Sequence, residues 1–256
     1  MMRTHIPLRN IALVALTLGL AMSGCKKDDD PPAPAPPAGG GGGGSQTPGT
    51  TPNFVGADGL LAATRVITSQ DGPFGPIEFT MGVASGAFSN DDWSTFVSVG
   101  AVTCNSETLT AQSNNSYVFM PGAANPSGID LTASNNVTWT VAGGNGFPDF
   151  DRTITGPFPG AGPITSSATI VRSQGYTLTS SSVLNADSVV FTLGSLVKTL
   201  PGNAASCSFS VAELETLAAG ASLVQIAPYN STTEDIGGKT IYFVKQASRS
   251  RSVTLQ

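Results

Sequence analysis

Polar and apolar residues alternate along several short stretches of this chain. Residues 136–141 place Val137, Trp139 and Val141 on one side of an extended strand, and residues 206–211 show the same alternation, with Cys207, Phe209 and Val211 on one side. A period of two residues is typical of a β-strand with one buried face. The pattern therefore predicts a protein built from half-buried strands.

Further β-rich runs are separated by turn-forming residues at intervals of about 8 to 12 residues. These runs are 77–83, 96–104, 117–120, 168–172, 176–180, 187–193, 223–227, 240–245 and 252–256. Such spacing favours antiparallel sandwiches over parallel strand–helix–strand units. One short helix is expected near 211–218, because Ser210 and Glu213 have the spacing of a capping box.

A boundary inside the strand-rich region is predicted at residues 156–163, which contain three prolines and three glycines. This composition opposes regular secondary structure and is typical of a connection between domains. The expected fold is therefore all-β, with two antiparallel β-sandwich (Ig-like) domains in tandem. The first is assigned to residues 53–160 and the second to residues 161–256.

The amino-terminal segment has the layout of a lipoprotein export signal. Arg3 and Arg9 precede an apolar run at residues 11–22, which is shorter than the roughly 20 residues needed to span a bilayer. Small residues lead directly to Cys25, so residues 1–24 are expected to be cleaved and Cys25 to be lipidated. An ordinary secretory signal that is cut near Ser23 is the alternative.

Residues 25–52 are predicted to be a disordered tether, since they consist almost entirely of Pro, Gly, Ala, polar and charged residues. Lys26 and Lys27 come directly after Cys25, and three aspartates follow them. This start resembles the export signal of Bacteroidetes surface lipoproteins, which implies an anchor in the cell outer membrane facing the exterior. A solvated spacer is the other interpretation of the acidic run.

Composition and charge exclude several classes of function. The only histidine, His5, lies in the predicted signal peptide, so the mature chain would lack histidine-based nucleophilic catalysis and histidine-ligated metal sites. Loss of Arg3 and Arg9 leaves 10 basic against 17 acidic residues, a net charge of −7. Nucleic acid is a disfavoured partner, because phosphate contacts need clustered basic residues. No cofactor and no metal are expected.

A candidate ligand-binding site lies just before the predicted boundary, where Asp149, Asp151 and Arg152 occur close to three phenylalanines. Charged side chains could hydrogen-bond a sugar on which a phenyl ring stacks. The alternative is a linker whose phenylalanines pack the domain junction while its charges face water.

Trp93 follows Asp91 and Asp92 in a predicted loop and is a second possible ligand contact. Calcium takes six to eight oxygen ligands, so two adjacent carboxylates supply at most part of a site. A solvated turn with Trp93 folded onto the core is the alternative.

Cys104 and Cys207 are the cysteines that remain beyond Cys25. A disulfide between them would join the two predicted domains and contribute about 2–4 kcal/mol. Alternatively, both are small buried residues on strand faces, an interpretation that the alternation around Cys207 supports.

The chain also resembles a family of uncharacterised Bacteroidetes lipoproteins. The resemblance lies in Asn114-Asn115-Ser116-Tyr117 and in the segments 139–143, 147–150, 209–214 and 226–230, among others. It covers most of the mature chain and implies paired β-sandwich domains on a surface anchor, but it transfers no functional residue.

These observations together predict a surface-anchored, non-enzymatic binding module for an extracellular glycan or protein. Its expected membrane contact is the lipid at Cys25, and its oligomeric state is left open. A structural or assembly component of the cell envelope is the alternative function. A carboxylate-based, histidine-independent glycoside hydrolase is a minor alternative, because no pairing of the scattered acids can be deduced.

Overall fold

The computed structural model describes residues 56–72 and 75–256. The predicted signal peptide, Cys25 and the tether lie outside the described residues. Within them the protein is almost entirely β-structure, with one α-helix of four residues and one 3₁₀ turn. The all-β sandwich fold predicted from the sequence is confirmed. In the part of the chain that is described, no helix has the length and apolar character needed to cross a membrane.

Four long strands form the centre of the largest sheet. They are β1 (Gly59–Gly72), β2 (Gly75–Phe88), β16 (Gly220–Ile236) and β17 (Lys239–Leu255). Strands β1 and β2 form one antiparallel hairpin, and β16 and β17 form another. The hairpins meet where β1 runs parallel to β17, with Gly59 opposite Ile241 and Thr68 opposite Ser250. The start of the described chain is thereby joined to its end.

The remaining strands are short. They are β3 (Val102–Cys104), β4 (Glu107–Thr108), β5 (Thr110–Ala111), β6 (Tyr117–Phe119), β7 (Val137–Val141), β8 (Phe150–Ile154), β9 (Gly160–Ala161), β10 (Thr169–Ile170), β11 (Tyr176–Thr179), β12 (Val183–Leu184), β13 (Ser188–Leu193), β14 (Leu196–Pro201) and β15 (Ser206–Phe209). The long sheet has the order β14-β13-β16-β17-β1-β2-β6-β5, with β10 added parallel to the end of β17. Three smaller sheets are formed by β4-β3-β7-β8, β11-β15 and β12-β9.

Two hydrophobic cores lie in succession along one face of the long sheet. In the first core, Leu61 and Phe243 of the long sheet pack with Val137, Trp139 and Val141 of β7. In the second core, the long sheet packs against the two two-stranded sheets, and its members include Val189, Phe191, Leu193, Val224, Ile226, Leu178, Cys207 and Phe209. Each core therefore lies between two layers of strands, as in a sandwich.

The change from one core to the other falls between Phe158 and Ala161, where the sequence predicts a boundary. The hairpin of β16 and β17 nevertheless passes through both cores. Ile236 and Ile241 belong to the first core, whereas Val224 and Val253 belong to the second. The two sandwiches are therefore built on one continuous sheet.

A third, smaller cluster lies on the opposite face of the long sheet. It contains Leu60, Ala62, Val190, Ala227, Tyr229 and Val244, with Trp93 and Tyr242 packed against it. Both faces of the central strands are therefore apolar where this cluster and the cores overlap. For this reason the sequence of β1 lacks the alternation that marks a half-buried strand.

The predicted helix is present as α1 (Val211–Leu214), which begins with a capping box. The Ser210 hydroxyl accepts a hydrogen bond from the Glu213 backbone N–H, and the Glu213 carboxylate accepts one from the Ser210 N–H. Leu214 is fully buried in the second core. The motif in the sequence therefore identified the start of the helix, although the helix ends at Leu214 and is shorter than the expected 211–218.

Candidate binding groove

The structure separates the acidic and basic residues predicted to form a ligand site before the boundary. Asp151 and Arg152 are neighbours on β8, so their side chains leave the strand on opposite sides. The Thr140 hydroxyl donates to Asp151 Oδ2 over 3.1 Å, and Arg152 Nε donates to Glu234 Oε2 over 3.1 Å. Asp149 is exposed just before the strand. These three side chains do not converge on one site.

The three phenylalanines near these charges are core residues. Phe147, Phe150 and Phe158 are each less than 8% exposed and belong to the first hydrophobic core. The three rings pack inward, but into the first core rather than at a junction between domains, and none of them is free to stack on a sugar. Residues 150–154 form a strand rather than part of an irregular linker, because Phe150 and Ile154 pack inward across the two-layer core.

Trp93 packs onto the protein surface instead of standing free as a ligand platform. Its ring meets Phe96 edge-on with centroids 6.1 Å apart, and it covers part of the third hydrophobic cluster. The preceding Asp91 carboxylate accepts hydrogen bonds from Ser94, Ser89 and Thr95, which hold the pKa of that carboxyl far below its usual range. The donors of its own loop therefore occupy Asp91, and the inward-folded alternative for Trp93 is correct.

The possible disulfide between Cys104 and Cys207 is absent, and both residues are buried free thiols. Cys104 belongs to the first core and Cys207 to the second, so the two sandwiches keep them apart. Burial raises the pKa of the Cys104 thiol to about 12. Both cysteines therefore behave as small apolar residues, which was the alternative interpretation.

A row of cations on the long sheet holds the connection between the two sandwiches. Lys245 Nζ donates to the carbonyl oxygens of Asn135, Thr155 and Gly156 over 2.7–3.0 Å. Further along β17, Arg249 donates to the Ala161 carbonyl and Arg251 donates to the Ile164 carbonyl, each over 3.1 Å. Backbone carbonyls of the Pro- and Gly-rich connection are therefore paired with cationic donors of the long sheet.

A small cleft of about 290 Å³ lies beside Arg65 and Asp130. Arg65 donates from Nε to the Leu131 carbonyl over 2.8 Å. The Asp130 carboxylate accepts from the backbone N–H groups of Thr132 and Ala133, which lower its pKa. Both charged groups of this cleft are thus bonded to neighbouring backbone.

A larger groove of about 500 Å³ lies at the edge of the second sandwich. Strand β10 and the turn before it form one side, and β11 with the preceding Gln174 and Gly175 forms the other. The lining residues are Thr165, Ser166, Ser167, Thr169, Ile170, Val171, Gln174, Gly175, Tyr176, Thr177 and Thr179. Seven of these side chains carry a hydroxyl group, one carries an amide, and none carries a formal charge.

We call these eleven residues the hydroxyl groove. Internal hydrogen bonds fix its shape. The Tyr176 hydroxyl bonds to Ser166 Oγ and to the Ser167 carbonyl, each over 2.9 Å. Arg251 reaches the Ser166 carbonyl from the long sheet. Gly175 turns the chain into β11 with a φ of 73°, a left-handed conformation that favours glycine. The groove is therefore preformed, with Thr169 and Gln174 exposed on it.

The chemistry of the hydroxyl groove is that of hydrogen bonding. Hydroxyl and amide groups both donate and accept, so together they can match a ligand with many neutral polar groups. Among the residues that the structure describes, no group of three or more His, Cys, Asp or Glu side chains could hold a metal ion. The hydroxyl-rich run at 165–169 is a sequence signal for this groove. Alternation of polar and apolar residues indicates strands, however, and does not show that such a run lines a binding site.

No family model, curated protein or solved structure matches this chain in the comparisons with known proteins. The fold and the geometry of the groove are therefore the basis on which a function is inferred.

Proposed function

We propose that this protein is a surface-anchored lipoprotein whose second sandwich binds a neutral extracellular glycan in the hydroxyl groove. The anchor is the lipid predicted at Cys25, and the resemblance of the residues after Cys25 to a surface-export signal supports an outer-membrane location. The single observation that supports a glycan is the groove itself, which lines about 500 Å³ with seven hydroxyls, one amide and no charge.

The composition of the groove matches the chemistry of a sugar. A neutral glycan presents many hydroxyl groups that both donate and accept hydrogen bonds, as serine, threonine and tyrosine do. The apolar side chain of Val171 is 37% exposed on the groove and offers a patch for the C–H face of a sugar ring. An open groove also suits an internal stretch of a chain, whereas a closed pocket suits a chain end.

Three of the described acids have pKa values shifted away from what acid catalysis needs. A glycoside hydrolase needs one carboxyl whose pKa is raised so that it can act as a general acid. The hydrogen bonds that Glu78, Asp91 and Asp130 accept instead lower their pKa values. These hydrogen bonds therefore favour the ionised form of the three carboxyl groups.

The proposal is tested with a glycan array and the mature chain carrying Cys25→Ser. Binding is expected, and Thr169→Val and Gln174→Ala should each weaken it about tenfold, the effect of losing one or two hydrogen bonds. Gln112→Ala is the matched control, because Gln112 is an exposed glutamine outside the groove. A blank array would overturn the proposal, and equal affinity in all variants would place the ligand elsewhere.

The alternative function, a structural component of the cell envelope, is favoured by a different observation. The outer edge of β2 presents exposed apolar side chains next to backbone groups that have no strand partner in the described chain. Edges of this kind support assembly by strand pairing.

A further inference from the structure

The outer edge of β2 is open over five residues. On one side β2 pairs with β1 along its whole length. On its other side only residues 84–86 pair with β6, and Gly82 forms a bridge to Gly128. In the described part of the chain, no strand continues this pairing along residues 77–81.

The backbone groups that face away from β1 can be identified from Gly82. Its N–H donates to the Ser127 carbonyl over 2.9 Å, and its carbonyl accepts from the Ile129 N–H over 3.0 Å. Both groups of Gly82 therefore point to the outer edge. Because alternate residues of a strand point their hydrogen-bonding groups the same way, the N–H and C=O groups of Glu78 and Thr80 also point outward.

The side chains along this open edge are apolar on one face. Ile77 is 50% exposed and Phe79 is 52% exposed, and the half-buried Met81 continues the row. These residues share a face because successive residues of a strand alternate. Natural edge strands are usually protected by lysine, proline or a bulge, and residues 77–81 contain neither lysine nor proline.

We propose that this edge pairs with the same edge of a second copy of the chain, so that one sheet runs through a two-fold symmetric dimer. In the antiparallel register, Glu78 lies opposite Thr80 of the second copy, and Thr80 lies opposite its Glu78. Each pair exchanges two backbone hydrogen bonds, which makes four in total. Phe79 then lies opposite its own symmetry mate at the two-fold axis, flanked by Ile77 against Met81.

The pattern of the edge favours a second copy over another partner, because it is complementary to itself. Each apolar side chain meets an apolar side chain in this register. Glu78, the one charged residue in the segment, meets a threonine and is already paired with Arg249 of its own chain, with 3.2 Å between Arg249 Nη2 and Glu78 Oε2. No like charges are opposed across the pair.

The two ends of the ladder are also defined. Pro76 lacks a backbone N–H, and the outward groups of Gly82 are already bonded to Ser127 and Ile129. In the proposed register, Pro76 of each copy lies opposite Gly82 of the other copy. The ladder therefore ends at these two positions, and no outward N–H group is left without an acceptor. A shift by two residues that brings Glu78 opposite Gly82 would leave only the two bonds between Thr80 and its symmetry mate, because the outward groups of Gly82 are already used.

Sedimentation velocity of the mature chain with Cys25→Ser tests the dimer. A concentration-dependent dimer is expected, and Thr80→Pro should abolish it by removing an outward N–H that makes no bond to any other described residue. Phe79→Lys should also abolish it, because it opposes two charges at the axis. Val197→Lys is the matched control, since Val197 is 46% exposed on the edge strand β14. Unchanged melting temperatures would show that the variants fold.

Cross-linking tests the register. The Phe79→Cys variant should form a disulfide-linked dimer on oxidation, because directly opposed residues of a non-hydrogen-bonded pair have Cα atoms about 4.5 Å apart, within disulfide range. Val197→Cys should remain monomeric. A chain that is monomeric at every concentration, or one whose Phe79→Cys variant fails to cross-link, overturns the proposal and leaves the edge to a strand of another protein. A dimer that survives Thr80→Pro also overturns it.

Discussion

The guanidinium carbon of Arg65 lies 3.9 Å from the centre of the Phe158 ring. Arg65 belongs to strand β1, whereas Phe158 belongs to the connection between the two sandwiches. Lys245 Nζ lies 5.6 Å from the same ring. Burial lowers the pKa of Lys245, and the nearby charge of Arg65 lowers it further. Two cations of the long sheet therefore enclose one aromatic ring and hold the connection onto the sheet.

Lys245→Met should destabilise the protein, because it removes a buried ammonium that serves three backbone carbonyls. Methionine has a similar length but cannot donate. An unsatisfied buried carbonyl costs about 1–3 kcal/mol, so the free energy of unfolding should fall by about 2–4 kcal/mol. Urea denaturation followed by tryptophan fluorescence measures this change.

Lys198→Met is the comparison for this prediction. Lys198 pairs with Glu213 over 2.8 Å, but both side chains are about one-third exposed. Its loss should therefore cost less than about 1 kcal/mol beyond local packing. Equal losses in the two variants would show that the contacts of Lys245 do not hold the connection.

The sequence predicted best those elements that have one buried face. The alternation around Trp139 and around Cys207 predicts both strands and their inward sides, and both are found, although the second strand ends at Phe209 and Val211 begins the helix. Strand β1 was missed because it is apolar on both faces, so its sequence carries no period of two. The two runs at 240–245 and 252–256 are parts of one strand, since Arg249 and Arg251 lie on it and bond inward.

The candidate site is harder to predict, because charge and aromatic character in the sequence do not show which side chains converge in the fold. Asp151 and Arg152 are adjacent in sequence, but a strand sends neighbours to opposite sides. Phe147 and Phe158 are aromatic residues that could stack on a sugar, but both are buried in the first core. The parallel pairing of β1 with β17 joins residues about 180 positions apart, and nothing in local sequence predicts such a contact.

Ser210→Ala should cost about 1 kcal/mol of stability, the usual effect of removing an N-cap. Partial burial would raise the pKa of Glu213, but the hydrogen bonds from Lys198 and Ser210 outweigh it and lower that pKa. Alanine at position 210 removes the acceptor for the Glu213 N–H. Ser210→Thr keeps that acceptor and should retain the stability of the parent in chemical denaturation. Identical losses for alanine and threonine would contradict the capping role.

Cys25→Ser should release the protein from membranes, because serine cannot carry the thioether-linked lipid. The wild type should label with a radioactive fatty acid and sediment with the membrane fraction. The variant should do neither and should remain soluble, since several acyl chains contribute about 0.8 kcal/mol for each buried CH₂ group. An unlabelled wild type with the same fractionation as the variant would contradict lipidation at Cys25.

Stability should fall at alkaline pH because of Cys104. Burial raises the pKa of its thiol to about 12, whereas a cysteine in an unfolded chain has a pKa of about 8.5. Below about pH 8.5 both states keep the proton, so the thiol adds no pH dependence. Between pH 8.5 and 12 only the unfolded state loses it, so the free energy of unfolding falls by up to about 1.4 kcal/mol per pH unit.

Cys104→Ala tests this by removing the titrating group. Its free energy of unfolding should be lower than that of the parent at pH 7, because a buried side chain is shortened, but it should decrease less steeply above about pH 9. Val102→Ala is the matched control, since Val102 is fully buried on the same strand and does not titrate. That variant should lose stability at every pH while keeping the alkaline slope of the parent. If Cys104→Ala keeps the same slope, the alkaline loss has another origin, of which Tyr229 is the first candidate because burial raises its pKa to about 12.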